Sequence, residues 1–175
     1  MLRTQIEHGA RAALFVSADA ADVRTISKLR QWSSPTPIMR AQVLAASRDP
    51  AITHVRQLPD ARHLVLAHPH VPLGRYTQRV LGAPGLGARA LARARSLESQ
   101  ASHVRLKAMT GAADASVLYS SDLRDLPHWH PLQGAPTVHA QYVAVSRGPQ
   151  GARLMAQLRA HDPARWGFEP PQERP

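Results

Sequence analysis

Between residues 64 and 67 the chain reads Leu-Val-Leu-Ala without a polar break, and between 115 and 118 it reads Ala-Ser-Val-Leu before closing on Tyr119. Apolar runs this short, bounded by turn residues, predict buried strands rather than helices. Ala13 to Val16 is a third such run, Ile38 to Ala46 reads as a longer strand, and Thr137 to Val145 alternates with the two-residue period of a strand. The stretches between them carry helical spacing. Residues 3–9 read as the end of a helix that Gly9 stops, and 21–29, 75–80, 88–95, 102–109 and 148–161 read as further helices. Ser33 to Pro37, the segment from Pro50 to Asp60 with a short helical turn, the Gly/Pro segment 82–87, and 122–136 read as loops, and a Pro-rich tail starts at Pro170. Strands alternating with helices predict an α/β fold with largely parallel sheets. The chain contains no internal repeat.

In such a fold, ligands bind outside the carboxyl ends of the strands. Two segments fall there. Tyr119 ends the run from Ala115, which places a phenolic hydroxyl at a strand's carboxyl end, followed by Ser120-Ser121-Asp122. After the run 64–67, His70-Val71-Pro72-Leu73-Gly74-Arg75-Tyr76 is a Pro/Gly turn opening a helix. The first N–H groups of a helix lack intrahelical acceptors and favour an anion. Taken singly, Tyr119 reads as packing, Val104 as helix core, and Pro72-Leu73-Gly74 as a turn.

Composition narrows the functional classes. At 43% hydrophobic residues over 175 positions, the chain buries a sizeable core. It contains no Cys, which excludes disulfides and thiolate metal sites. Lys and Arg number 22 against 12 acidic residues, a formal charge of +10. A balance this basic points toward nucleic acid or anionic surfaces. The cations are nearly all Arg spread along the chain, and aromatic residues are only 5%, so compositional bias explains the charge better than nucleic-acid binding. There is no nucleophile elbow, P-loop or dinucleotide fingerprint, so an enzyme is not expected. His128-Trp129-His130 lacks carboxylate or Cys partners at ligand spacing, so no metal site and no cofactor are expected.

The two site segments, taken in order with their surroundings, resemble the molybdate/tungstate-binding proteins of ABC importers, a family of two-lobed type II periplasmic solute-binding proteins. Leu2 to Ala10 followed by Ala13 to Asp19 looks like that family's helix and strand leading to its ADVFISAD segment. Leu64 to Leu81 looks like its LVIADPxxVPAGRYA segment, Tyr142-Val143-Ala144-Val145 like its returning strand, and Arg165-Trp166-Gly167-Phe168 like its RYGF end. Similarity is weaker over residues 20–60 and 82–100. Two Ser-containing turns of the family have no counterpart before Leu2.

The resemblance implies a type II periplasmic-binding-protein-like α/β fold in which Ile38 to Ala46 and Val138 to Val145 cross between lobes. Residues 47–137 would be a complete lobe, and residues 1–46 with 138–175 an incomplete one whose strands are left partly unpaired. It implies capture of molybdate or tungstate between the lobes, delivery to ABC permease subunits at the membrane, a monomer, no nucleic-acid partner, and no chemistry on the ligand. Carried over by position, Leu73 supplies a backbone N–H where the family usually has Ala, Val104 a backbone N–H on the following helix, and Tyr119 its hydroxyl. Ser17 is a further hydroxyl candidate, with helix capping as its other reading, and His68 stands where the family commonly has Asp. The location implied is periplasmic or extracytoplasmic; residues 1–10 lack an apolar leader core, so Met1 as true start implies the cytoplasm. The alternatives are a truncated remnant of the family that does not bind, and a basic nucleic-acid-associated protein.

Overall fold

The computed structural model describes residues 2–172; Met1 and residues 173–175, at the ends of the expected incomplete lobe, lie outside the described residues. The chain divides into two compact units, Met1–Ala41 with Ala140–Pro175, and Gln42–His139.

The first unit opens with α1 (Leu2–Glu7), which ends as Gly9 enters the left-handed region at φ 93°. Glycine has no Cβ to clash there, which makes it a good stop. β1 (Leu14–Ser17) follows, then α2 (Ala20–Ser27). Asp19, rather than Ser17, is the N-cap of α2: its carboxylate accepts the Ala21 N–H at 2.9 Å. Val23 and Ile26, one turn apart, are fully buried and pack with Phe15, Val143 and Val145. β2 (Thr36–Ser47) then carries the chain into the second unit.

That unit runs through a 3₁₀ turn (Val55–Asp60), β3 (Leu64–Ala67), α3 (Pro72–Val80), α4 (Leu86–Arg93), β4 (Ser96–Glu98), α5 (Ala101–Met109), β5 (Ala115–Tyr119), α6 (Ser120–Leu123) and β6 (His130–Pro131). Every residue of β3 and β5 is buried, as uninterrupted apolar runs require of strands covered on both faces. The Ser116 hydroxyl, buried in β5, donates to Val65 O at 2.6 Å and so is satisfied across the sheet. β3 pairs in parallel with both β5 and β4, while β5 pairs antiparallel with β2 and β6 pairs antiparallel with β2. The sheet is therefore mixed rather than largely parallel, because β2 enters against the direction of the strands that helices connect. The segment expected as loop over 122–136 holds the second half of α6 and all of β6. β4 was not foreseen, since Ser-Leu-Glu has a single apolar residue and becomes a strand only through β3.

One carboxylate fastens three segments of this unit. Asp114, just before β5, accepts from Arg48 Nε at 2.9 Å and from His63 Nδ1 at 2.7 Å. Its backbone carbonyl takes the Ser47 hydroxyl at 2.9 Å and the Arg48 N–H at 2.9 Å. Burial alone would raise its pKa, but the hydrogen bonds from His63 and Arg48 outweigh that and hold the carboxyl below its ordinary value.

β7 (Val138–Ser146) returns to the first unit and pairs antiparallel with β1, from Leu14 opposite Ser146 to Ser17 opposite Val143. α7 (Gly148–Ala160) packs on β1, with Gly151 so close to the Ala13 carbonyl that no Cβ fits. Among the described residues β1 is paired on one side only. This unit also holds an apolar pocket of about 390 Å³ lined by Leu14, Ile38, Met39, Leu154, Leu158 and Phe168 among others, with Trp166 at 65% exposure. Among the described residues no helix is long and apolar enough to cross a membrane.

Two outcomes follow from these contacts. Asp114→Asn keeps the shape and removes the charge, so urea unfolding at pH 7 will show a loss of about 1 kcal/mol, the scale of a charge-assisted hydrogen bond discounted for solvent. Because the folded pKa is depressed, that contribution is present above the unfolded carboxylate pKa of about 4 and lost as pH falls through the folded value, so parent and variant converge in acid. Gly74→Ala places a methyl group inside the His68 carbonyl oxygen and against Pro69 Cα, both backbone atoms. It will destabilise by about 1–3 kcal/mol, read as a lowered melting temperature.

Candidate functional site

The parallel triplet β4, β3 and β5 sets the geometry. Ala67 lies opposite Glu98, and Val65 lies opposite Ser116, so the three strands end along one edge. Each then turns directly into a helix: β3 into α3 after four residues, β4 into α5 after two, and β5 into α6 with none between. Three helix N-termini therefore begin from one sheet edge, with α3 and α5 both packed on β3 and β5. Helix N-termini carry partial positive charge and N–H groups without intrahelical partners, so this edge favours an anion.

At α3 the turn is closed by Val71 N–H donating to His68 O at 3.0 Å, and Arg75 donates from Nη1 to His70 O at 2.8 Å. Pro72 occupies the first helical position and has no N–H. Arg75 N–H is bound to Val71 O at 3.1 Å, so Leu73 and Gly74 carry the N–H groups that a helix starting here leaves for an external acceptor. The Leu73 side chain is buried, and what it offers is backbone. Gly74 is required because the His68-Pro69 backbone lies directly against its Cα. The His68 and His70 rings sit 4.8 Å apart beside this turn.

α5 starts after Gln100, whose carbonyl is shared by the N–H groups of His103 at 3.2 Å and Val104 at 3.4 Å. The Val104 N–H is thus engaged in a long, shared helical bond, and the Val104 side chain is core. Ala101 and Ser102 hold the first N–H groups of this helix, and Ser102 adds an exposed hydroxyl. The Ser102 hydroxyl donates to Gln100 Oε1 at 3.5 Å. Lys107 ties α5 to β4 by donating to Glu98 Oε1 at 2.6 Å, and that bond holds the Glu98 carboxyl below its ordinary pKa against the opposing effect of burial.

Tyr119 ends β5, buried, opposite Val43 of β2, and is the N-cap of α6. Asp122, at the third position of that helix, accepts the backbone N–H of Tyr119, the return half of a capping box. Burial pushes the Asp122 carboxyl above its ordinary pKa, with the Tyr119 bond and Arg105 opposing and the charge of Asp125 adding to the rise.

Leu73, Val104 and Tyr119 all belong to the second unit, on the three elements that leave its parallel strands. Ser17 belongs to the first unit, at the end of β1, where its hydroxyl oxygen accepts the Asp19 N–H at 3.0 Å. That contact braces the α2 cap and leaves the hydroxyl hydrogen able to donate. His130 Nε2 donates to Ile52 O at 2.9 Å, a structural tie rather than a ligand. Among the described residues no group of three His, Asp or Glu side chains converges as a metal site would require.

The model of the bacterial extracellular solute-binding protein family matches residues 1–164. The chain is 31% identical over 128 residues to the molybdate-binding protein ModA of Mycobacterium tuberculosis, a match covering 69% of this chain and 47% of that protein. It spans about half the length of the curated relatives it matches. Among solved structures, the periplasmic molybdate-binding protein of Azotobacter vinelandii superposes with a TM-score of 0.76 at 18% identity, over 98% of this chain and 84% of that one. L-phospholactate-bound PEB3 superposes with a TM-score of 0.73 at 10% identity, over 95% and 83%. At those identities the two structures establish the type II periplasmic-binding-protein fold alone. With a family model matched across nearly its whole length, the chain belongs to the bacterial extracellular solute-binding proteins.

Proposed function

We propose that this chain captures a tetrahedral oxyanion, molybdate or tungstate, as the binding component of an ABC importer. The observation that carries the reading is the meeting of α3, α5 and Tyr119 at the carboxyl edge of β4, β3 and β5, in a solute-binding family whose curated relatives are named for molybdate. In this reading the Leu73 N–H and the Tyr119 hydroxyl donate to the anion. The first turn of α5 contributes at Val104, whose N–H shares the Gln100 carbonyl with His103. Neutral donors suit a dianion that must later be released: fixed dipoles stabilise its charge without a full countercharge. The ligand is cargo, so no catalysis, cofactor or resident metal is invoked. The protein would act as an extracytoplasmic monomer that passes its anion to permease subunits, with residues 47–137 and the flanking segments 1–46 and 138–175 as its lobes. The nucleic-acid alternative has no comparable support: the cations are spread along the chain, and Arg3, Arg40, Arg48, Arg89 and Arg105 each pair with an acidic neighbour.

Calorimetric titration with molybdate, tungstate and sulfate tests the reading. Saturable heat with molybdate or tungstate and little with sulfate is expected. Tyr119→Phe removes one hydrogen bond to a charged ligand, about 1.5–3 kcal/mol, and so weakens affinity by roughly ten- to a hundredfold. A folded protein giving no heat with any of the three anions would sink it.

A further inference from the structure

Arg105 follows Val104 on α5 and reaches across to α6. Its Nε lies 3.7 Å from Asp122 Oδ1, and its Nη2 donates to Asp125 Oδ2 at 2.5 Å. Asp122 in turn accepts the Tyr119 backbone N–H. Two of the proposed donor positions, Val104 and Tyr119, are therefore joined by a chain of side-chain contacts that includes no ligand. They lie on different elements, and among the described residues this is the ion-pair link between α5 and the segment that follows β5.

We propose that Arg105 is a positioning residue that fixes the first turn of α5 against Tyr119, and through that spacing sets which size of oxyanion the second unit accepts. The inference rests on the oxyanion reading above and assigns that site its size gauge. Arg105 is not itself read as a ligand, because its guanidinium already faces two carboxylates, Asp125 through a hydrogen bond and Asp122 at 3.7 Å. As a stabiliser the cluster is weak. Arg105 and Asp125 are 37% and 56% exposed, so water screens their attraction, and burial disfavours the charged form of Asp122. The planar fork of arginine suits the task, since it spans two carboxylates at fixed angles, which the single ammonium of lysine does not. Sulfate is a smaller tetrahedron than molybdate, so a loosened gauge is felt first by the anion that fills the site.

The test compares the full chain with Arg105→Ala and Arg105→Lys, using calorimetry with molybdate, displacement of bound molybdate by sulfate at high concentration to read the weaker sulfate affinity, melting temperature, and amide hydrogen exchange over residues 101–105 and 119–125. Arg105→Ala should weaken molybdate roughly tenfold, the scale of one misplaced charge-assisted hydrogen bond, while sulfate changes less than about twofold. Exchange should speed up at both segments with little change in melting temperature, and Arg105→Lys should fall between the two. Equal weakening of both anions would make Arg105 a merely structural tie and overturn the proposal, as would unchanged selectivity. If the parent binds neither anion, the oxyanion reading fails and takes the gauge with it; exchange then still shows whether the link between α5 and Tyr119 exists.

Discussion

The second unit depends on one constraint: β3 is held in parallel register between β4 and β5. Parallel pairing obliges each strand to be followed by a crossover, and here each crossover begins with a helix at the same sheet edge. The alignment of the three N-termini is thus a product of sheet register. The burial of β3 and β5 on both faces secures that register, because a one-residue slip in strands so fully enclosed would break every packing contact at once. The Asp114 contacts to Arg48, His63 and Ser47 fasten the opposite end of the same strands. One end of the sheet is locked by side chains, and the other carries the first turns of α3 and α5.

Electrostatics follows the same division. A chain with a formal charge of +10 could have lined an anion site with arginine, yet three cations on the helices that carry candidate donors are engaged with other partners. Arg75 bonds the His70 carbonyl, Arg105 pairs with Asp122 and Asp125, and Lys107 pairs with Glu98. What remains for a ligand is backbone N–H and hydroxyl. Such donors hold charge by orientation, so their usefulness rests on rigidity, supplied at α3 by Pro72 and the Gly74 contact and at α6 by the return bond of Asp122.

The parts of this arrangement carried by local pattern were legible in the sequence. The run Leu64 to Ala67 declares a buried strand because nothing else accommodates four consecutive apolar residues between turn signals, and Pro72 beside Gly74 marks the helix start that follows. Tyr119 could be placed at a strand end on the same grounds. What depends on distant partners was hidden: β4 exists only because β3 offers it a ladder, β6 only because β2 does, and the antiparallel entry of β2 carries no signature of its own. The link from Arg105 to Asp122 spans seventeen residues, a separation that no helical or strand periodicity reports. Val104 illustrates the reverse limit, since only the family resemblance made it a candidate donor while its N–H shares the Gln100 carbonyl with His103.

The central claim is that the carboxyl edge of β4, β3 and β5 is an oxyanion site. A crystal structure of the chain grown with tungstate, with the metal located by its anomalous scattering, tests this most directly. The account predicts one strong peak whose oxygens lie within about 2.7–3.2 Å of the Leu73 backbone nitrogen and the Tyr119 hydroxyl. A peak elsewhere on the surface, or none at saturating tungstate, would contradict it.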